Sequence, residues 1–541
     1  MHPYPLDTAA WLPSLWAPDA LAAAQGELPE RVGLRTVLER SHEISALAIT
    51  EPPAYAAVLR VLYALTARVC ALDVEDDGSG TDWSERRLDI LEAGRLPADG
   101  IDAYFAAWAH RFDLFDPARP WMQDPRLAQQ CDPARSAGVN KLVTTRSSGN
   151  NHSWFGHVHD ADPDPVPADE AVLNLLTWHY YGPSGRGSAR KVNGESTASM
   201  MAGPLRGSLS YHPEGTTLFA SLLAGLLRPA PQVRRETDRC PWEREDLPDP
   251  GGPASAPQGP CSRLTAVSQH ALLLVPDPHH PDTVSDAFIT WAHRAGRLPR
   301  TDPYLLWQVS QQNNPYPRPA AASRALWRDL DALLLAQPSG TAQARRPEVF
   351  DTALEVSDAC ERPLAVRALG FDQDGQAKDR QFVTGLTPPV LDAAEREEPG
   401  TAPAVGWLAA LRGDVRAPGG VRGAPRLRAV HAGEGAEGSR GLAGAGGGAV
   451  LAARGRGVLV PLRRPGPHRS SPGRRGTRPQ ADQASVPEDR RGRVRRRHPP
   501  GVPHPARRPR CCRRPHRTLR RRANQPPRCP CHTFLIQESS P

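Results

Sequence analysis

Ser136–Asp160, SAGVNKLVTTRSSGNNHSWFGHVHD, breaks the helical reading of the chain. Helical patterns precede it, and a helix followed by strand patterns comes after it. The stretch itself has neither the 3.6-residue nor the two-residue period. It carries Lys141 and Arg146, then Gly149-Asn150-Asn151, then Trp154 and Phe155. Gly and Asn tolerate the positive φ that a sharp turn needs. Cations before such a turn and large aromatics after it suit a loop that reaches out to touch a partner. Long irregular loops inside compact domains are usually functional or disordered; the competing reading is an ordinary mobile surface loop.

Outward from this loop, the pattern predicts an α+β protein. Upstream, Ala56–Cys70 is read as a helix with Val58, Val61, Leu62, Leu65 and Val69 on one face. Two more helices are expected near 84–93 and 97–112, ended by the Pro and Asp breakers of FDLFDPARPWMQDPRL. Downstream, Asp169–Tyr181 reads as a helix and Gly182–Gly194 (GPSGRGSARKVNG) as a flexible basic loop carrying Lys191. Ser208–Tyr211, His270–Val275, Tyr304–Val309 and Leu364–Phe371 read as strands, and Thr217 as the cap of a helix toward Leu227. Ala325–Leu335 reads as a helix. Phe371–Phe382, FDQDGQAKDRQF, has the Asp-Gly of a hairpin turn, flanked by Gln376 and Lys378. Polar amides on such a turn can read base edges or wedge a duplex. Thr387, ahead of Pro388 and Pro389, is expected to cap a helix.

At Asp414 the composition changes. From Val415 onward there are 29 Arg, no Lys and six acidic residues, a surplus of +23. The preceding part holds 38 basic and 53 acidic residues, a net of −15. The overall +8 conceals an acidic body and a basic tail. The tail contains no Trp or Tyr and is built mostly of Arg, Gly, Pro and Ala, so it lacks the apolar surface to fold and is expected to be disordered. The division is 1–385, a large mixed globular N-terminal domain; 386–413, the start of a helical bundle; and 414–541, the tail. Lys occurs only at 141, 191 and 378.

Nine scattered cysteines contain no CxxC pair, which suits a reducing cytoplasm and argues against structural zinc. No secretory leader is evident, and no apolar run approaches the roughly 18–20 residues of a membrane helix. A nucleophile elbow, HExxH and dinucleotide fingerprints are absent, and the glycines of 182–194 lack phosphate-loop order. His157, His159 and Asp160 are at most a loose metal motif. No cofactor, metal or catalysis is expected.

The ordered set WLPSLW, VGLRTVLERSHEI, FDLFDPARPWMQ, KLVTTRSSGNNHSWFGH, PLRGSLSYHPEGTTLFASLL, CSRLTAVSQHALLLVPD, TDPYLLWQ and LGFDQDGQAKDRQF, spanning about 7–413, resembles the CasA family. These are the large subunits of the type I-E CRISPR complex Cascade, an antiviral defence system. The resemblance implies partnership with the other Cascade subunits and crRNA, with target double-stranded DNA, and with a helicase-nuclease recruited after target binding, and no membrane. It implies that the 136–160 loop, with Asn150, Asn151, Trp154 and Phe155 at its tip, docks near the crRNA 5′ handle and the protospacer-adjacent motif. It also implies that Gly375, Gln376 and Ala377 form a wedge at that motif, with Lys378 beside it. Guide pairing then drives strand exchange while protein reads only the flanking motif, as in another CRISPR effector. Lys141, Arg146 and Lys191 complete the expected nucleic-acid contacts.

The chain departs from the family in three places. No glycine-rich loop stands near Pro165–Glu170, and Gln311 replaces an expected lysine. Only the first helix of the family's C-terminal four-helix bundle, about Pro389–Arg412, is recognisable. An out-of-frame translation from about Asp414 explains the tail's composition, and amphipathic helix in another frame past the Trp407 codon would establish it. Two alternatives stay open: a nonspecific nucleic-acid binder acting through a genuine Arg-rich tail, and an enzyme with an anion site at Gly182–Lys191.

Overall fold

Pro52–Val69 is an 18-residue helix with every residue buried. The sequence pattern predicted one apolar face; the helix is instead enclosed all round. It packs against the Ala168–Tyr181, Pro260–Thr265, Ala98–Trp108 and Leu218–Ala224 helices. Two arginines lie on it, and burial obliges each to find a partner. Arg60 donates Nε and Nη2 to Asp302 at 2.9 Å each, and Nη1 to the Ala56 carbonyl. Arg68 pairs with Glu243 and Asp73.

The computed structural model describes residues 2–24, 26–149, 157–294, 302–329, 333, 345–360, 362–373 and 379–391. All lie within one unit, 1–455. The architecture is α+β, with helices and small antiparallel sheets interleaved. β1 (Leu12–Trp16) lies between β2 (Arg31–Val32) and β3 (Ile44–Leu47). β4 (Val166–Pro167) pairs with β9 (Thr283–Trp291), which pairs with β8 (His270–Pro276). β7 (Leu209–Glu214) pairs with β12 (Ala365–Gln373), which pairs with β13 (Asp379–Leu386). Two further hairpins are β5 (Gly185–Val192) with β6 (Glu195–Met200), and β10 (Trp307–Val309) with β11 (Pro315–Pro317).

Helices form at Trp83–Glu92 and Ala98–Trp108, and the Thr217 hydroxyl accepts from the Ala220 N–H at the start of Leu218–Ala224. Four expectations are corrected. Gly182–Gly194 is not a loop: it supplies β5 and the turn into β6. Asn193 (φ 51°) and Gly194 (φ 84°) occupy the two left-handed positions that an Asn-Gly hairpin turn requires. Tyr304–Val309 is strand only from Trp307, because the Tyr304 hydroxyl turns inward to donate to the Gly225 carbonyl at 2.6 Å. Within the expected Ala325–Leu335 helix, Leu326–Asp329 is a 3-10 turn, pinned where buried Asp329 accepts from the Tyr211 hydroxyl and Arg324. Thr387 caps no helix, since its hydroxyl accepts from Val366 N at 2.8 Å and its N–H donates to the Val366 carbonyl. Pro388–Leu391 is correspondingly non-helical, with Leu391 bridged to Leu364. The rest of the expected bundle helix and the whole of 414–541 lie outside the described residues.

The five body cysteines (Cys70, Cys131, Cys240, Cys261 and Cys360) form no disulfide. Among the described residues no helix is long and apolar enough to cross a membrane.

Candidate nucleic-acid interface

Three segments singled out in the sequence converge on the C-terminal end of the Ala168–Tyr181 helix. The first is the stem of the 136–160 loop. Gly138 (φ 81°) introduces one helical turn, Val139–Leu142. The Leu142 carbonyl accepts from the indole of Trp178, in the last turn of the Ala168–Tyr181 helix. Asp160 closes the stem by accepting from Asn140 Nδ2 at 3.1 Å and Gly149 N at 2.6 Å.

Lys141 and Arg146 were expected as contacts to nucleic acid, and here both hold the stem. Lys141 Nζ donates to the Arg186 carbonyl at 2.6 Å, and burial lowers its pKa. Arg146 Nη1 donates to the Asp164 carbonyl at 2.7 Å and reaches Asn140 Oδ1 at 3.4 Å. Such internal bonds position the loop and leave each cation less free to meet a phosphate. Asn150, Asn151, Trp154 and Phe155 lie outside the described residues. His157, His159 and Asp160 are exposed. Among the described residues no group of three or more His, Cys, Asp or Glu is placed to hold a metal.

The second segment is the β5–β6 hairpin, riveted to the body by Arg190. This buried guanidinium donates to Asp124 Oδ2 (2.7 Å), Gln130 Oε1 (2.7 Å) and the Trp291 carbonyl (3.1 Å), and lies over the Trp291 ring. Gly187 sits where a Cβ would stand 2.1 Å from the Ile289 carbonyl, so the hairpin lies directly on β9. Arg186 and Lys191 remain exposed, Lys191 opposite Ser196 in the ladder. With its backbone paired to β6, this stretch does not form the anion-cradling loop that the enzyme reading required.

The third segment is the β12–β13 hairpin. Phe371 and Phe382 face each other across it with ring centroids 4.7 Å apart. At its neck Gln373 is opposite Asp379, and Gln373 Nε2 donates to Asp379 Oδ1 at 2.8 Å. Buried Arg206 crosses the neck, donating Nη2 to Asp379 Oδ1 (2.7 Å) and Nη1 to the Tyr181 carbonyl (3.0 Å). Gly207 N donates to Gln373 Oε1 at 3.3 Å. Gly375, Gln376, Ala377 and Lys378 lie outside the described residues.

The three stems are thus linked in series. Lys141 joins the long loop to β5, and Arg206 joins the β12–β13 neck to Tyr181, four residues before β5 begins. Arg190, Arg206, Gln373 and Asp379 were missed as positioning residues, because a lone Arg or Gln carries no spacing signal. Asn193-Gly194 was the available signal for the β5–β6 hairpin. In place of the family's glycine-rich loop near 165–170, Val166 pairs with Val284 and the helix begins at Ala168. Gln311 is exposed at a turn.

The family described as CRISPR-associated protein Cse1 matches residues 6–413. The CRISPR-associated protein CasA/Cse1 of Thermus thermophilus is 25% identical over 350 residues, 64% of this chain and 65% of that protein. The chain therefore spans just under two thirds of that relative's length. A solved chain of a CRISPR RNA-guided surveillance complex is 44% identical with a TM-score of 0.65, covering 73% of this chain and 78% of that one. The crystal structure of Thermobifida fusca Cse1 shares the fold at 20% identity and a TM-score of 0.56, over 71% and 73% of the two chains.

Proposed function

The chain belongs to the CRISPR-associated Cse1 family, and from that premise we propose that it is a non-catalytic subunit of a CRISPR RNA-guided surveillance complex. In this reading it checks the protospacer-adjacent motif in duplex DNA, helps open the duplex, and offers a surface to the helicase-nuclease. Its partners are the other Cascade subunits with their crRNA, then target DNA. The observation that carries the reading is the clamp at the β12–β13 neck. Gln373, Asp379 and Arg206 tie the last residue of β12 to the first of β13. A wedge needs such a fixed base, since unstacking a base step costs a few kcal/mol and a loose arm would recoil instead. Trp154 and Phe155 are assigned to the crRNA-facing tip of the neighbouring loop, with Asn150 and Asn151.

The body's net −15 confines contacts with DNA to local cations, of which Lys191 and Arg186 stand exposed on one hairpin. Lys191→Ala is expected to weaken duplex binding similarly for all sequences. It should also reduce the slope of log K against log salt by about one. A salt titration of binding reads this directly, and an unchanged slope removes Lys191 from the interface.

The decisive experiment reconstitutes the crRNA complex with and without the chain and offers a duplex bearing the motif or a scrambled one. The chain should confer motif-dependent binding, and Gln376→Ala should weaken it about tenfold, or 1.4 kcal/mol. Equal binding by Gln376→Ala and the parent chain sinks the wedge assignment.

A second reading is supported by the +23 surplus after Val415, which suits nonspecific attraction to nucleic acid. Truncation after residue 413 separates the two. Motif-dependent binding survives it under the first reading, and all binding is lost under the second.

A further inference from the structure

A cavity of about 140 Å³ opens beside the Pro241–Glu243 turn and reaches His179 and His270 behind the hairpin stems. It has room for several water-sized groups, since one water needs about 10–15 Å³. Four arginines line it (Arg111, Arg119, Arg126 and Arg244), against two lining carboxylates, Asp124 and Asp246. Asp124 is already engaged twice, by Arg126 at 2.8 Å and by Arg190 at 2.7 Å.

The remaining guanidiniums are poorly neutralised. Arg119 spends its donors on the Arg244 and Glu245 carbonyls, which carry no charge. Arg111 reaches Glu245 only at 3.4 Å, and its Nε is buried without a partner. The Arg244 guanidinium makes no hydrogen bond or ion pair among the described residues. Trp121, 1% exposed, also lines the cavity, and its indole N–H is buried without an acceptor. Burial pulls the pKa values of Arg119 and Arg244 down, and at Arg119 the neighbouring Arg111 adds to the effect. Crowded cations and unpaired donors in a half-buried wall mark a place for an anion with several acceptor oxygens.

We propose that this cavity is a binding site for a phosphate group, held by Arg111, Arg119 and Arg244. Guanidiniums on separate turns of the chain suit the divergent oxygens of a tetrahedral oxyanion, and planar forks bind phosphate with two parallel bonds each. The site is independent of the duplex-opening reading and would stand if that reading failed.

The test is thermal unfolding of the full chain in inorganic phosphate, against chloride at matched ionic strength. Phosphate stabilises many proteins nonspecifically, but without saturating. A saturating rise in Tm is expected here, and Arg244→Ala should weaken the apparent affinity at least tenfold while leaving Tm in chloride unchanged. Arg244→Gln is the second variant should the alanine chain fold poorly. A rise that never saturates, or one identical in the variants, overturns the proposal. Competition then identifies the source of the phosphate. Displacement by short RNA with either 5′ end points to internal phosphodiesters. Displacement only by 5′-phosphorylated RNA points to a terminal phosphate. Displacement by neither leaves the free ion as the ligand.

Discussion

Arg68→Met is expected to destabilise the protein by about 3–5 kcal/mol, the usual cost of leaving a buried charge without its partner. Arg68 donates Nε and Nη2 to Glu243 at 2.9 and 2.7 Å, and its other bonds reach Asp73 and the Asp238 carbonyl. Arg68, Asp73 and Glu243 are all buried. Methionine keeps the apolar stem and its packing, so the loss falls on the carboxylates. Asp73 retains bonds from Arg235 at 2.6 and 2.8 Å. Glu243 keeps the Tyr104 hydroxyl (2.7 Å) and Cys240 N (2.9 Å) but no cation at hydrogen-bond distance. Glu243→Gln removes the orphaned charge, and its one amide oxygen keeps the Cys240 N–H bond while its NH2 faces the Tyr104 oxygen. The double variant should therefore recover roughly half of the loss, by the non-additivity of contacting sites. Urea unfolding of the three variants measures this. A double variant as unstable as the sum of the singles would show that the pair is not coupled.

Acid should unfold the protein early, starting near pH 6.5 and well before its carboxylates titrate. Burial lowers the pKa values of His179 and His270 to about 4. It also holds His212 well below its ordinary range, with Arg60 and Arg367 adding to the effect. Each imidazole is neutral when folded, whereas the unfolded chain takes up its proton near pH 6.5. The stabilisation is complete above about pH 6.5 and is lost as pH falls toward about 4. It amounts to roughly 3 kcal/mol for each of His179 and His270 at full extent. The consequence is local as well as global. The His270 Nε2 donates to the Pro183 carbonyl, and its ring packs edge-on against Trp178. Gly182 is wedged there because a Cβ would stand 2.7 Å from the His270 ring. Protonating His270 therefore loosens the junction from which both hairpin stems are held. Tm should fall steadily between pH 6.5 and 4.5, with uptake approaching three protons on unfolding, one for each of the three histidines. A flat Tm across that interval would show that these histidines take up protons equally in the folded and unfolded chain.

Apolar patterning revealed the Pro52–Val69, Trp83–Glu92, Ala98–Trp108 and Ala168–Tyr181 helices and the β7, β8 and β12 strands, because those elements bury their apolar residues. It misjudged what depends on partners far along the chain. Val58, Val61 and Leu65 identified the Pro52–Val69 helix, but nothing local says that Arg60 would be buried, since Asp302 lies 242 residues away. Thr387 had the sequence of a cap, and its hydroxyl was taken by Val366 across the sheet. Lys141 and Arg146 drew notice as candidate nucleic-acid contacts, and in the structure their long side chains hold the loop. In the candidate interface the three segments were legible in the sequence as stretches set apart from the helices. The residues that hold them (buried Arg190 and Arg206, with Asp379) were not, because a single ion pair leaves no pattern.

Those anchors bear on how the hairpin can change. Gln373 and Asp379 close the β12–β13 neck, with Arg206 across it. A hairpin cross-braced at its base is expected to keep its strand register while those three side chains remain, and to slip when one of them is replaced.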